Sequence, residues 1–401
     1  MDIKDKIHPL LTGDDLIDAL TFLPDYSSEI RKASASERLF ALNEIYSLYI
    51  PSLMTCEVYH KLYFSLIRAM SKKNTLSSIQ QGYLNRKSYN QGIMGGSDSF
   101  TIAGVSGIGK SSALSKAIST ITNEEFFICE GTKIISFLTI QAPSDSSLKG
   151  LLLEILRKVD FILETHYHKD SIRARATLDM LIGTVSQVCL NHIGVLIIDE
   201  AQNLVGNKNG KNLVNALVQL INNSGISLCF VGTLECTSFF ESAFHLARRS
   251  IGLTYTHLPY GEFFKKLCYT AFSFQYTTII THPNESVIEW LYQHSNGITA
   301  LVIGLIQSAQ EIAIIDGYER LDIKSLNDAY QRRFGMLHGH INTSKKHSLP
   351  AHHSSIEIPS LPVGKMTLDS VFVKAIKETT MQNIDALIYL KQFVVIEEID
   401  I

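Results

Sequence analysis

Between Gly104 and Ser111 the chain reads Gly-Val-Ser-Gly-Ile-Gly-Lys-Ser, which meets G-x-x-x-x-G-K-[ST] at every fixed position. Glycines let a backbone wind round an anion so that its N–H groups point inward, and a helix start adds positive potential. The reading assigns Gly104, Val105, Ser106, Gly107, Ile108, Gly109, Lys110, Ser111 and Ser112 to triphosphate binding. Lys110 would reach the β- and γ-phosphates, and the Ser111 hydroxyl would ligate Mg²⁺. About 90 residues on, Gly194-Val-Leu-Ile-Ile-Asp199-Glu200 is an apolar run ending in two acids. Asp199 there would hold the magnesium, directly or through water, and Glu200 would polarise the water that attacks the γ-phosphate. The segment NKNG (207–210) lacks the aspartate of a guanine-reading NKxD motif, so ATP is the nucleotide expected.

Such groups need a sheet to present them. From Ser99 the pattern is α/β: SFTIAG (99–104), IISFLTI (134–140), GVLIID (194–199) and SLCFVGT (227–233) alternate with helical stretches. Continuous apolar runs of this length read as parallel strands covered on both faces. Residues 1–95 read as helical, with apolar residues at helical spacing through 38–50 and 57–70, and 285–335 return to helix. The expected organisation is a helical N-terminal region (1–95), an α/β nucleotide-binding core (96–262), a small helical lid (263–337), and a linker with a tail (338–401).

The chain has 401 residues, 45% of them hydrophobic and 19% charged, enough for several domains with a large core. Its net charge of −3, from 36 Lys+Arg and 39 Asp+Glu, gives no whole-molecule basic field, so nucleic-acid binding would need a local patch. The six scattered cysteines form no CxxC pair, which fits a reducing cytoplasm. The opening MDIKDKIHPLLTGDD carries acids early and lacks a long apolar core, unlike a signal peptide, and the apolar runs around 193–198 and 311–315 are too short to span a bilayer, so no membrane partner is expected.

Other residues carry two readings each. Thr233, at the tip of SLCFVGT, either touches the γ-phosphate and the attacking water or caps the next helix. Arg248 and Arg249, in HLARRS, are either a solvated basic pair or a source of positive charge for a neighbouring subunit's phosphate. Lys149, Arg157, Lys158, Lys169, Arg173 and Arg175 either track a DNA backbone or line an ordinary solvated helix face. No helix-turn-helix signature or aromatic stacking box is present, so base-specific readout is not indicated. His338, His340, His352 and His353 lie in a polar loop without ligand-spaced cysteines or acids, and read as solvated.

Taken in order, GVSGIGKSS, FLTIQAP (137–143), GVLIIDEAQNL (194–204), FVGTLEC (230–236) and LARRS (246–250) resemble an AAA+ ATPase of the transposition-regulator type, TnsC/TniB, with IstB as a cousin. LYQHSNGITALVIGLIQSAQEIAIIDGYERLDIKSLNDAY (291–330) resembles the lid of that family, and QGYLNRKS (81–88) its GY-x-x-R entry segment, through Gly82, Tyr83 and Arg86. The resemblance covers roughly 80–335 and implies an AAA+ P-loop ATPase fold of the ASCE kind, a parallel sheet flanked by helices. It implies ATP and Mg²⁺ at subunit interfaces, a homo-oligomeric ring or spiral on duplex DNA, and partners that are a target-selector protein and transposase subunits. By the same resemblance Glu200 is the catalytic base, Thr233 the sensor, Arg248 or Arg249 the trans finger, and Lys149, in APSDSSLKGLLLEIL (142–156), a DNA contact, while Arg173 is a DNA-contact candidate from the basic stretch alone. One departure stands out: NGITALVIGL (296–305) has no arginine where many such lids carry one. The competing readings are a replication ATPase of the IstB or clamp-loader kind, and an oligomerising nucleotide switch that does not touch DNA.

Overall fold

The computed structural model describes residues 7–84, 99–129, 131–204, 217, 226–237 and 250–335. The chain begins with α1 (Gly13–Leu20) and α2 (Ala35–Leu42), the latter opened by a reciprocal capping box between Ser34 and Glu37. The helical periodicity through residue 50 is only partly realised. The Asn43 side-chain Nδ2 donates to the Leu39 and Phe40 carbonyls, a single 3-10 turn follows over Asn43–Ser47, and the chain then runs extended into Pro51. There Phe22 and Tyr49 exchange both backbone hydrogen bonds as an isolated antiparallel bridge. Helix α3 (Leu53–Leu84) completes this part.

Next comes a six-stranded sheet. β1 (Ser99–Gly104) leads into α4 (Lys110–Ile121); β2 (Phe126–Cys129) and β3 (Thr132–Gln141) form a hairpin; α5 (Leu148–Leu163), α6 (Tyr167–Arg173) and α7 (Leu178–His192) precede β4 (Ile193–Asp199). β5 (Ser227–Gly232) and β6 (Ser250–Tyr255) finish it, in the spatial order β2-β3-β4-β5-β1-β6, with every pairing parallel except β2 with β3. The four apolar runs of the sequence are β1, β3, β4 and β5. β2 and β6 lie at the sheet edges, where a strand needs no continuous apolar run; Gly252 and Thr254 of β6 are exposed.

The order puts β5 between β1 and β4, so the three strand tips carrying the polar residues stand side by side. Ala103 pairs with Gly232, Ile198 with Phe230, and Gln141 with Asp199. One sheet face is covered by α5 and α7, through residues such as Leu152, Ile155, Leu181 and Val185. The other is covered by α3 and α4, where Val58, Leu62 and Leu66 meet Phe100, Ala113 and Val195.

The C-terminal helices are α8 (Glu262–Ser273), α9 (Glu285–Ser295), α10 (Thr299–Ile315) and α11 (Ile323–Ala329), the last running into a wider turn over Tyr330–Phe334. α10 is apolar on nearly all sides because it is the centre of this bundle, with Val302, Leu305, Ile306 and Ala309 buried. No single helix among the described residues is long and apolar enough to cross a membrane. Leu42, Ile45 and Leu48 from the N-terminal part share the core of this bundle, whereas Leu16, Leu20 and Met54 belong to the core beneath α4. The N-terminal residues therefore divide between two cores, and the chain passes from one to the other near Phe22 and again near Tyr49.

Candidate functional site

The glycine loop connects β1 to α4 and takes its shape from three positions. Gly107 (φ +80°) and Gly109 (φ +97°) occupy the left-handed region that side chains avoid, and a Cβ on Gly104 would lie 2.9 Å from the Tyr255 carbonyl of β6. No side chain caps α4 at Gly109, so the first-turn N–H groups of Lys110, Ser111 and Ser112, which have no acceptor within the helix, are left for a ligand. This is a fit for phosphate oxygens. Lys110 Nζ donates to the carbonyls of Gly104 and Val105 at 2.9 and 3.0 Å, which folds the ammonium back over its own loop. Burial lowers the Lys110 pKa, against the opposing pull of Asp199 and Glu200.

Asp199 faces this loop across the sheet. Ser111 Oγ donates to Asp199 Oδ2 at 3.1 Å, and the Glu200 amide donates to Asp199 Oδ1 at 2.8 Å. A hydroxyl and a carboxylate oxygen this close form a hard-oxygen pair of the type that Mg²⁺ takes from protein while keeping its other ligands as phosphate and water. The two residues therefore fit that ion. Glu200 follows with φ +54°, a left-handed conformation rare for a side chain, and its carboxylate accepts from Gln202 Nε2. Gln202 Oε1 in turn accepts from the Thr233 amide at 3.1 Å.

Around these groups lies a cavity of about 1000 Å³. One end holds Ser106 to Ser112, Asp199, Glu200, Gln202 and Thr233; the other is apolar, walled by Leu48, Ile50 and Leu53 of the N-terminal part and by Leu258, Leu267 and Ile303 of the C-terminal bundle. A polar end for phosphates and an apolar end for a flat ring suit a nucleotide. The bundle touches the loop directly. The Gly107 carbonyl accepts from Thr299 Oγ1 and from the Ala300 amide, both at 3.1 Å.

The assigned residues fall into three groups. Residues 104–112, Asp199, Glu200 and Thr233 come together at the tips of β1, β4 and β5. The Thr233 hydroxyl is buried without a hydrogen-bond partner among the described residues, so it does not cap the following turn; the backbone carbonyl does, accepting from Cys236 N at 3.1 Å. Lys149, at the exposed start of α5, and Arg173, at the exposed end of α6, stand away from the cavity lining. Within the basic stretch, Arg157 is bound by Glu154 and Lys158 Nζ donates to the Thr139 carbonyl at 2.7 Å; Lys149, Lys169, Arg173 and Arg175 remain exposed, without partners among the described residues. Arg248, Arg249, Arg86, the four histidines and the tail lie outside the described residues, while Gly82 and Tyr83 fall in the last turn of α3.

Sequence reasoning missed three contributors to the site. Gln202 was visible in Asp-Glu-Ala-Gln as an amide two positions beyond the acids. Thr299, a hydroxyl opening a helix, gave a weaker signal. The apolar wall from residues 48–53 gave none, because its role depends on where the chain crosses between cores.

A glycine loop after β1, an acid pair at the end of β4 and an intervening β5 define the fold as a parallel α/β sheet of the P-loop kind. Residues 94–240 match the family model described as an AAA domain. No curated protein matches the chain. Among solved structures, the chain is similar to the Aeropyrum pernix ORC1 protein in complex with DNA, at 14% identity and a TM-score of 0.40, covering 65% of this chain and 64% of that one. It is also similar to the Aeropyrum pernix ORC2 protein in its ADP form (15%, TM-score 0.42, covering 74% and 73%) and to Cdc6p from Pyrobaculum aerophilum (15%, 0.40, 59% and 61%). The chain spans less than two thirds of the length of the first of these.

Proposed function

We propose that this protein binds and hydrolyses ATP, and that it does so as a homo-oligomer on duplex DNA, linking a target-selector protein to transposase subunits. The observation that carries the ATPase reading is the contact between Ser111 and Asp199, which brings the lysine-bearing loop and the acid pair to one point. Lys110, free to leave the Gly104 and Val105 carbonyls, would neutralise the β- and γ-phosphates. Ser111 and Asp199 would hold Mg²⁺, which when bound stabilises negative charge on the phosphate oxygens. Glu200 would orient a water for in-line attack on the γ-phosphorus and accept its proton as the bond to the β-phosphate oxygen breaks. Thr233, at the tip of the strand between the two halves of the site, would report whether the γ-phosphate is present.

The transposition reading rests on the resemblance carried by IDEAQNL, FVGTLEC and LARRS, with Arg248 or Arg249 completing a neighbour's site in trans. On this reading residues 1–95, 96–262 and 263–337 work as N-terminal region, core and lid, and the tail after 338 docks to a partner. Lys149 and Arg173 are exposed and would meet DNA phosphates in every subunit, so a protomer of net charge −3 could still bind duplex DNA through one wall of a ring. The test is electron microscopy of the protein with duplex DNA and a slowly hydrolysed ATP analogue. Rings or spirals threaded on DNA only with the analogue are expected; a monomer that ignores DNA in both states would leave the nucleotide switch as the better account.

A further inference from the structure

We propose that Gln202 is a positioning residue that ties the hydrolytic base, Glu200, to the tip of β5; the inference rests on the ATPase reading above. Glu200 leaves the end of β4 from a left-handed backbone and is exposed, so little in its immediate surroundings fixes the direction of its carboxylate. The 3-10 turn Ala201–Leu204 begins at once, with the Asn203 amide donating to the Glu200 carbonyl at 2.9 Å, and it carries Gln202 back beside the carboxylate. Gln202 Nε2 donates to Glu200 Oε2, while Gln202 Oε1 accepts from the Thr233 amide. A carboxamide carries its donor and its acceptor on two separate atoms at one end of the side chain, so Gln202 can hold the Glu200 carboxylate with Nε2 and the Thr233 amide with Oε1 at once. Asparagine is a methylene shorter.

The neighbouring backbone is cut to fit. A Cβ on Gly232, the residue before Thr233, would stand 2.7 Å from Gln202 Oε1 and 3.3 Å from the Gln202 amide nitrogen. The strand tip therefore approaches the Gln202 side chain as closely as a glycine permits. The base is thereby linked through one side chain to the strand that separates β4 from β1, and a displacement of the β5 tip relative to β4 is carried to the Glu200 carboxylate. A hydrolytic base misplaced by an ångström loses most of its effect, whereas ATP binding, which depends on the glycine loop, does not involve this bridge.

The experiment measures ATP affinity and single-turnover hydrolysis for the full chain, for Gln202→Leu and Gln202→Glu, and for each in a Glu200→Gln background. Gln202→Leu removes both bonds at nearly constant volume; Gln202→Glu keeps the acceptor but opposes a like charge to Glu200. Both should retain ATP affinity within roughly threefold and lose hydrolysis on the order of 100-fold. With Glu200→Gln already present, neither should cause a further loss, because Gln202 acts through that carboxylate. A loss that persists undiminished in the Glu200→Gln background, a parallel loss of ATP affinity, or an unchanged rate would each overturn the assignment of Gln202. Absence of turnover in the unsubstituted protein would instead overturn the ATPase reading, and with it this one.

Discussion

Arg38 Nη1 and Nη2 donate to the two carboxylate oxygens of Glu319 at 2.6 and 2.7 Å, and Nη1 also donates to the Tyr276 carbonyl. This ties α2 to the loop after α10, so the N-terminal segment that walls the nucleotide cavity is fastened to the helical bundle whose other end touches Gly107. The Arg38 side chain is 5% exposed and that of Glu319 20%. Removing one member of such a pair leaves the other charge without its partner. Arg38→Met should therefore cost roughly 3–5 kcal/mol, read by chemical denaturation. The Arg38 guanidinium also holds the Glu319 carboxyl below its ordinary 4.5, so the pair's contribution is complete above that value and fades as pH falls through the lowered one. The stability gap between wild type and Arg38→Met should close on acidification, and a gap that is constant with pH would contradict the linkage.

Lys73, on α3, gives a slope of the same sign in a separate, alkaline window. Its ammonium donates to the Cys189 and Leu190 carbonyls at the end of α7, and burial lowers its pKa from 10.5 to about 8. Between these values the unfolded chain binds more protons than the folded one, so stability from this group rises with pH across the window. Lys73→Met should remove that rise, on the order of 3 kcal/mol between the two limits. Equal slopes for the two proteins from pH 8 to 10.5 would rule it out.

Thr299→Val deletes one of the two bonds to the Gly107 carbonyl and leaves the Ala300 amide in place. A single hydrogen bond of this kind contributes about 1 kcal/mol. Hydrogen exchange in the first turn of α10 should accelerate roughly fivefold, with the sheet amides unaffected. Acceleration spread evenly over the protein would mean global destabilisation instead.

Salt dependence tests the proposed DNA contacts. Replacing exposed Lys149 or Arg173 with alanine should weaken binding to all duplex sequences alike and reduce the slope of log affinity against log salt by about 1 per contact removed. An unaltered slope would move the DNA contact to another surface.

The parts of the site that a local motif specifies were legible in the sequence. The glycine loop was readable because its chemistry demands fixed residue types in a fixed order, and β1, β3, β4 and β5 because strands buried on both faces are apolar throughout. The edge strands carried a weaker signal: β2 (FFIC) is an apolar run of only four residues, and the run in β6 (SIGLTY) is broken by Gly252 and Thr254. Leu48 and Ile50 gave no hint of a nucleotide wall, since helical spacing around them said only that they are buried, not in which core. Gln202 lay in plain view, yet its bridging role depends on Thr233 arriving from 31 positions away, a fact set by β5 standing between β4 and β1.

Glu200→Gln should bind ATP with near-normal affinity while hydrolysing it 10²- to 10⁴-fold more slowly, the range expected for loss of a general base. Assembled DNA complexes should then accumulate with ordinary ATP, as is expected for the unsubstituted protein with the analogue. Rapid turnover in this variant would remove Glu200 from the mechanism.

The most direct test of the whole account is calorimetric titration of the protein and of Lys110→Ala with Mg·ATP. Loss of the ammonium that folds over the Gly104 and Val105 carbonyls should weaken binding by roughly 100-fold or more, and restoring lysine should restore it. Equal affinity in the two proteins would mean that the loop beginning at Gly104 does not hold the triphosphate.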